Sequence, residues 1–75
     1  MPKADSIAPA LSRFGASVRR ERVRTGLTQE ALAEAAGLNP RTVQKIEAGK
    51  LNILLTTLIR IQRVLGCRWT DLLPS

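Results

Sequence analysis

Apolar side chains recur along this chain at intervals of three and four residues, and the runs are punctuated by glycine. Leu11, Phe14 and Val18 form a first stripe, and Arg22 falls on the same line. Leu32, Ala33 and Ala36 form a second stripe, and Val43 and Ile46 a third. Leu55, Leu58, Ile61, Gln62 and Leu65 form a fourth. This is the period of one face of an α-helix. No stretch alternates with period two, and no hairpin signal appears. Gly26, Gly37, Gly49 and Gly66 each follow such a run, where a residue tolerant of the left-handed conformation ends a helix. The starts agree. Thr28 is placed to cap a helix opening at Gln29, with Glu30 in the first turn, and Asn39 precedes Pro40, the residue favoured at the first helical position. The pattern therefore predicts an all-α chain of five helices over about residues 10–25, 29–36, 40–48, 54–65 and 69–73. Residues 1–10 carry two prolines and no period, and read as a flexible arm; residues 11–75 read as one folded domain.

Length and charge narrow the function. A 75-residue chain is a single small domain whose core is marginal alone. Twelve Lys and Arg face six Asp and Glu, giving +6 and a pI near 11.2, a balance that favours a polyanionic partner. With one Phe, one Trp and no Tyr, stacking on single-stranded bases is an improbable mode of binding. One Cys and no His supply no metal-ligand set, and the lack of His removes the commonest general acid–base. No phosphate loop and no nucleophile constellation is present, so neither an enzyme nor a cofactor is expected. Cys67 has no disulfide partner and reads as a small packed thiol. No signal peptide or membrane span is visible, so a cytoplasmic location is expected.

The segment "QEALAEAAGLNPRTVQKIEA" concentrates the function. Ala33 permits close helix approach, and Gly37 takes the turn. Leu32, Ala36 and Leu38 close one side of the junction, with Val43 and Ile46 on the other. This is the make-up of a helix-turn-helix whose second helix enters a DNA major groove. The positions Gln29, Ala33, Gly37, Val43 and Ile46, and the wording "GLTQEALAEAAGL" and "TVQKIEAGK", resemble the lambda-repressor-like, XRE-type helix-turn-helix family. The resemblance runs over roughly residues 14–73, boundaries being as approximate as those of the helices.

With Val43 and Ile46 turned inward, a 100° step puts Arg41, Gln44, Lys45 and Ala48 on the outer face. Arg forks onto guanine, Gln onto adenine, and Lys reaches guanine acceptors or phosphate, so Arg41, Gln44 and Lys45 are the candidate base readers. The bland alternative is a solvated polar face, and the family's use of matching positions favours base contact. Gln29 at a helix start, Asn39, Thr42 and Lys50 are the candidate phosphate contacts, which position without specifying sequence. For Asn39 a capping role is at least as good a reading. The resemblance further implies that the Gln29 amide steadies the recognition helix, and that Arg22 and Glu47 form a partly buried ion pair between the first and third helices.

The loop "KLNILLTTL" departs from the family, in which a polar residue usually caps the fourth helix at the position of Leu54 and proline is common at that of Ile53. Asn52 is a candidate cap for an earlier start. Ile53, Leu54, Ile59 and Trp69 are apolar enough to suggest a partner surface, with closure of the core by Trp69 as the alternative. Relatives usually dimerise in this part of the chain. The expectation is a homodimeric, sequence-specific transcriptional regulator on a palindromic operator in double-stranded DNA, like the small regulators of phages and restriction–modification systems. The alternative is an antitoxin-type module with a protein partner that also binds its operator; the two residues left after Leu73 offer no tail to wrap one, which weighs against it.

Overall fold

The computed structural model describes residues 7–73, and the helices follow in the expected order. They are α1 (Ile7–Arg24), α2 (Gln29–Ala36), α3 (Pro40–Glu47), α4 (Leu55–Leu65) and α5 (Trp69–Leu72). The sequence-based ranges differ from these by one residue at most, except at the start of α1. That helix begins at Ile7, three residues before the expected Ala10, so residues 7–10 belong to the helix rather than to an arm. Pro9 is its third residue. The first four amides of a helix have no acceptor within it, so the missing N–H there breaks no bond. The other six residues of the expected arm lie outside the described part.

The turn between α2 and α3 is held at both ends. Thr28 is extended, and its hydroxyl accepts from the Ala31 amide at 3.0 Å. Gly37 adopts φ 69°, and the Leu38 amide returns to the Ala33 carbonyl at 2.7 Å. The Asn39 carboxamide then accepts from the Arg41 amide at 2.8 Å, which starts α3. Asn39 thus performs the capping role.

The core is a single cluster. Val18, Leu32, Ala33, Val43, Ile61 and Leu72 are fully buried, with Ile46, Leu65, Cys67 and Phe14 nearly so. Burial pushes the Cys67 thiol above its ordinary pKa, as expected of a packed, unreactive sulfur. In α4, Ile61 and Leu65 point inward, Leu58 packs on the cluster, and Gln62 donates to the Cys67 carbonyl at 2.7 Å. Leu55 does not join this stripe. It is 69% exposed, because the first turn of α4 overhangs the edge of the core. Asn52 does not cap α4 either. Leu54 holds the N-cap position, makes no side-chain cap bond and is 74% exposed. Trp69 stands outside the core cluster and is exposed, so it does not close the core. Among the described residues, no helix is long and apolar enough to cross a membrane.

Two features escape the pattern of apolar positions. Glu21 is buried at the α1–α5 junction, between Arg24 at 2.8 Å and Arg20 at 3.2 Å. The Arg24 hydrogen bond, with Arg20 adding to it, outweighs burial and holds the Glu21 carboxyl below the usual carboxylate range. Arg20 also donates to the Asp71 carbonyl, tying α1 to α5. Arg68 lowers the Asp71 carboxyl in the same way, and this exposed pair stays within α5's first turn. Nothing in an Arg–Glu–Arg-rich helix separates this carboxylate from a solvated one.

The second feature is Gly15, buried mid-helix in α1. A Cβ there would lie 2.2 Å from the Ile46 carbonyl oxygen and 2.9 Å from that of Glu47. A glycine inside a helical stripe already hints at close approach, because it costs about 0.5–1 kcal/mol relative to alanine. Gly49 repeats the device from the other side: a Cβ on it would meet the Cα of Ser12 at 2.8 Å. The C-terminal end of α3 therefore rests directly on the α1 backbone. Gly15→Ala is expected to lower the urea midpoint. Overpacking of about 1–3 kcal/mol exceeds the helix-propensity gain of about 0.5–1 kcal/mol, and neither carbonyl can rotate away. An unchanged or raised midpoint would show that the two backbones are not in contact.

Candidate nucleic-acid interface

α3 presents two faces of opposite character. Val43 and Ile46 are inside, at 0% and 1% exposure. Arg41, Gln44, Lys45 and Ala48 are all exposed on the other side. The three candidate readers therefore share one open face, and small Ala48 continues it without a projecting side chain. Among the described residues, no carboxylate lies within ion-pair distance of Arg41, Lys45 or Lys50. Their charge is free for an external anion.

The candidate phosphate contacts surround this face. Thr42 is half-buried in the first turn of α3, and Asn39 is exposed at its cap. Lys50 is exposed just beyond Gly49, its amide held by the Lys45 carbonyl at 2.9 Å. Gln29 opens α2 and is half-buried.

Three helices meet behind the face. Arg22 of α1 forks onto Glu47 of α3, with Nε to Oε2 at 2.6 Å and Nη2 to Oε1 at 3.0 Å. Gln29 of α2 donates from Nε2 to the same Oε1 at 3.0 Å. Arg22 also donates from Nη1 to the Leu27 carbonyl at 2.8 Å, which fixes the loop between α1 and α2. The Arg22 and Glu47 side chains are only 12% and 5% exposed. The expected ion pair is thus present, and the Gln29 amide is bonded to the last residue of α3. The Leu27 carbonyl had no signal in the sequence, because a backbone acceptor has no residue type. In front of this junction an open groove is lined by Arg19, Arg22, Gln29, Gln44, Glu47 and Ala48. Arg19 is the member that the pattern did not single out.

The family model described as helix-turn-helix matches residues 18–72. This chain belongs to the lambda-repressor-like helix-turn-helix family of DNA-binding regulators. An uncharacterized HTH-type transcriptional regulator from Archaeoglobus fulgidus is 38% identical over 55 residues, 73% of this chain and 79% of the relative. The fold is also that of the restriction-modification controller protein C.AhdI from Aeromonas hydrophila. The TM-score is 0.78 at 32% identity, covering 83% of this chain and 94% of the other. The clp gene regulator ClgR from Corynebacterium glutamicum superposes with a TM-score of 0.80 at 27% identity, covering 84% and 81%. In this helix-turn-helix, α2 is the supporting helix and α3 the exposed one.

Breaking the junction is expected to be costly. Arg22→Ala leaves Glu47 buried without its counter-charge, a loss of about 3–5 kcal/mol. A domain of this size has roughly 4–11 kcal/mol in total, so the variant is expected to lose a large share of its stability. Arg22→Lys is expected to recover only part, since an ammonium lacks the planar fork. Urea denaturation reads both, and a loss below about 1 kcal/mol for Arg22→Ala would class the pair with exposed ones.

Proposed function

We propose that this protein is a cytoplasmic, homodimeric regulator that binds a two-fold symmetric operator, each α3 entering the major groove of one half-site. The observation that carries the reading is the single exposed face of Arg41, Gln44 and Lys45, backed by a buried three-helix junction that leaves those charges unpaired. Arg41 and Gln44 have the donor geometry for guanine and adenine edges, and Lys45 reaches guanine acceptors. The α2 N-terminus at Gln29, with Asn39, Thr42 and Lys50, holds the flanking phosphates. Half-sites in such an arrangement lie about 34 Å apart.

The dimer reading rests on surface left uncovered in one chain. Leu54, Leu55, Trp69 and Leu73 are exposed at 74%, 69%, 39% and 42%. Of the four residues singled out in the sequence, Leu54 and Trp69 fit an outward surface. Ile53 packs partly on the protein's own core and Ile59 is half-buried. A single short helix reads few base pairs, and coupling two half-sites raises effective concentration enough for usable affinity. An antitoxin-type module would use the same apolar surface for a different protein. A host protein co-purifying through Leu54 and Trp69, with no duplex binding, would favour that alternative.

Selection of bound duplex from a random library, followed by salt titration, tests the DNA reading. Six to ten phosphate contacts per dimer predict a log–log slope on the order of −5 to −9, and a slope near zero would remove the proposal. Arg41→Ala is expected to cost about 1–3 kcal/mol per half-site and to relax preference at one base position, whereas Lys50→Ala weakens all sequences alike. For assembly, Leu54→Glu and Trp69→Glu are expected to give folded monomers by sedimentation and circular dichroism, since neither side chain belongs to the core. Wild-type protein that is monomeric at tens of micromolar, a weak-association range of about 6 kcal/mol, and that prefers a palindrome no more than a half-site would exclude the dimer.

A further inference from the structure

We infer that Arg19 grips the DNA backbone: its guanidinium, carried on α1, meets a phosphate of the strand that borders the groove entered by α3. The inference rests on the DNA-binding reading above and adds a contact from outside the helix-turn-helix.

Ser12, Gly15, Arg19 and Arg22 follow one another at helical spacing along α1. At the first two positions α1 touches the C-terminal end of α3 almost backbone to backbone. One turn beyond Gly15, Arg19 is therefore held beside that end, where it lines the open groove with Gln44 and Ala48. Arg22, the next in line, turns into the junction and is consumed by Glu47 and the Leu27 carbonyl. The other arginines in this part of α1 are also engaged: Arg20 by Glu21 and the Asp71 carbonyl, Arg24 by Glu21. Arg19 alone among these four has no carboxylate within ion-pair distance among the described residues, and it is exposed. Because Arg22 neutralises Glu47, the charge left over in the groove lining is the one on Arg19. A cation beside the reading face, reaching from a neighbouring helix, meets backbone rather than base edges. It positions the protein on every sequence alike.

The test uses the full chain on the selected operator and on a random duplex of equal length, by fluorescence anisotropy over a range of KCl. Arg19→Gln is expected to weaken both duplexes by the same factor and to make the log–log salt slope shallower by about 1.8, one phosphate per subunit of a dimer. Arg19→Lys is expected to keep most of the slope, because a phosphate contact needs charge more than a fork. Arg63→Gln, in a separate cleft against the end of α2, is expected to leave the slope unchanged. A wild-type slope in Arg19→Gln would overturn the inference, as would a loss confined to one base position, while leaving DNA binding intact. Absence of any duplex binding by the wild type would overturn the DNA reading and this contact with it.

Discussion

The orientation of α3 depends on one carboxylate. Glu47 ends the helix, and its two oxygens take three hydrogen bonds, two from Arg22 of α1 and one from Gln29 of α2. Each partner comes from a different helix, so the three donors triangulate the end of α3. An apolar contact is non-directional and tolerates small rotations, whereas a forked charge pair does not. A rotation of one residue step, 100°, would swing Arg41 off the outer face and turn Ile46 or Val43, which now pack, toward it. The pair also sits at the back of the groove, where its net charge is zero. It orients the exposed face of α3 without adding net charge behind it.

That clamp works because the backbones are already close. Gly15 and Gly49 remove two Cβ atoms from the α1–α3 contact, letting carbonyls of α3 lie against α1. With larger residues there, the forked bonds at 2.6 and 3.0 Å would lengthen or break. Packing and polar geometry are thus coupled at one junction: the glycines set the separation, and the ion pair sets the angle. A small domain has little core to spare, and this junction supplies definition that ten buried apolar residues alone would leave loose.

The rest of the surface divides by charge and by polarity. Arg19, Arg41, Lys45 and Lys50, on and beside α3, have no carboxylate within ion-pair distance among the described residues, while Arg20 and Arg24 of α1 are tied to Glu21 and Arg20 also to α5. Exposed large apolar side chains stand at the start of α4, where Leu54 and Leu55 are the most exposed, at Trp69 and Leu73 of the α5 region, and at Ile7 and Val23 of α1.

Local pattern alone specifies the helices, their order and the inward face of each central one. Those features follow from local causes: a 3.6-residue period, caps at Thr28 and Asn39, and a glycine after each of the first four helices. It also marked Arg41, Gln44 and Lys45 as neighbours, since residues on one short helix share a face whatever surrounds it. The Arg22–Glu47 pair was legible only through resemblance to a family, because 25 residues of chain separate its members. Tertiary structure decided what depends on where helices end and meet. Leu55 fits the period of α4 yet is exposed, because period says nothing about how far the core extends. Glu21 is buried between two arginines, and Arg19 is free beside the reading face, although the residues around both look alike in sequence. Which charge is spent and which remains available is a property of distances between helices, and no local pattern encodes those distances.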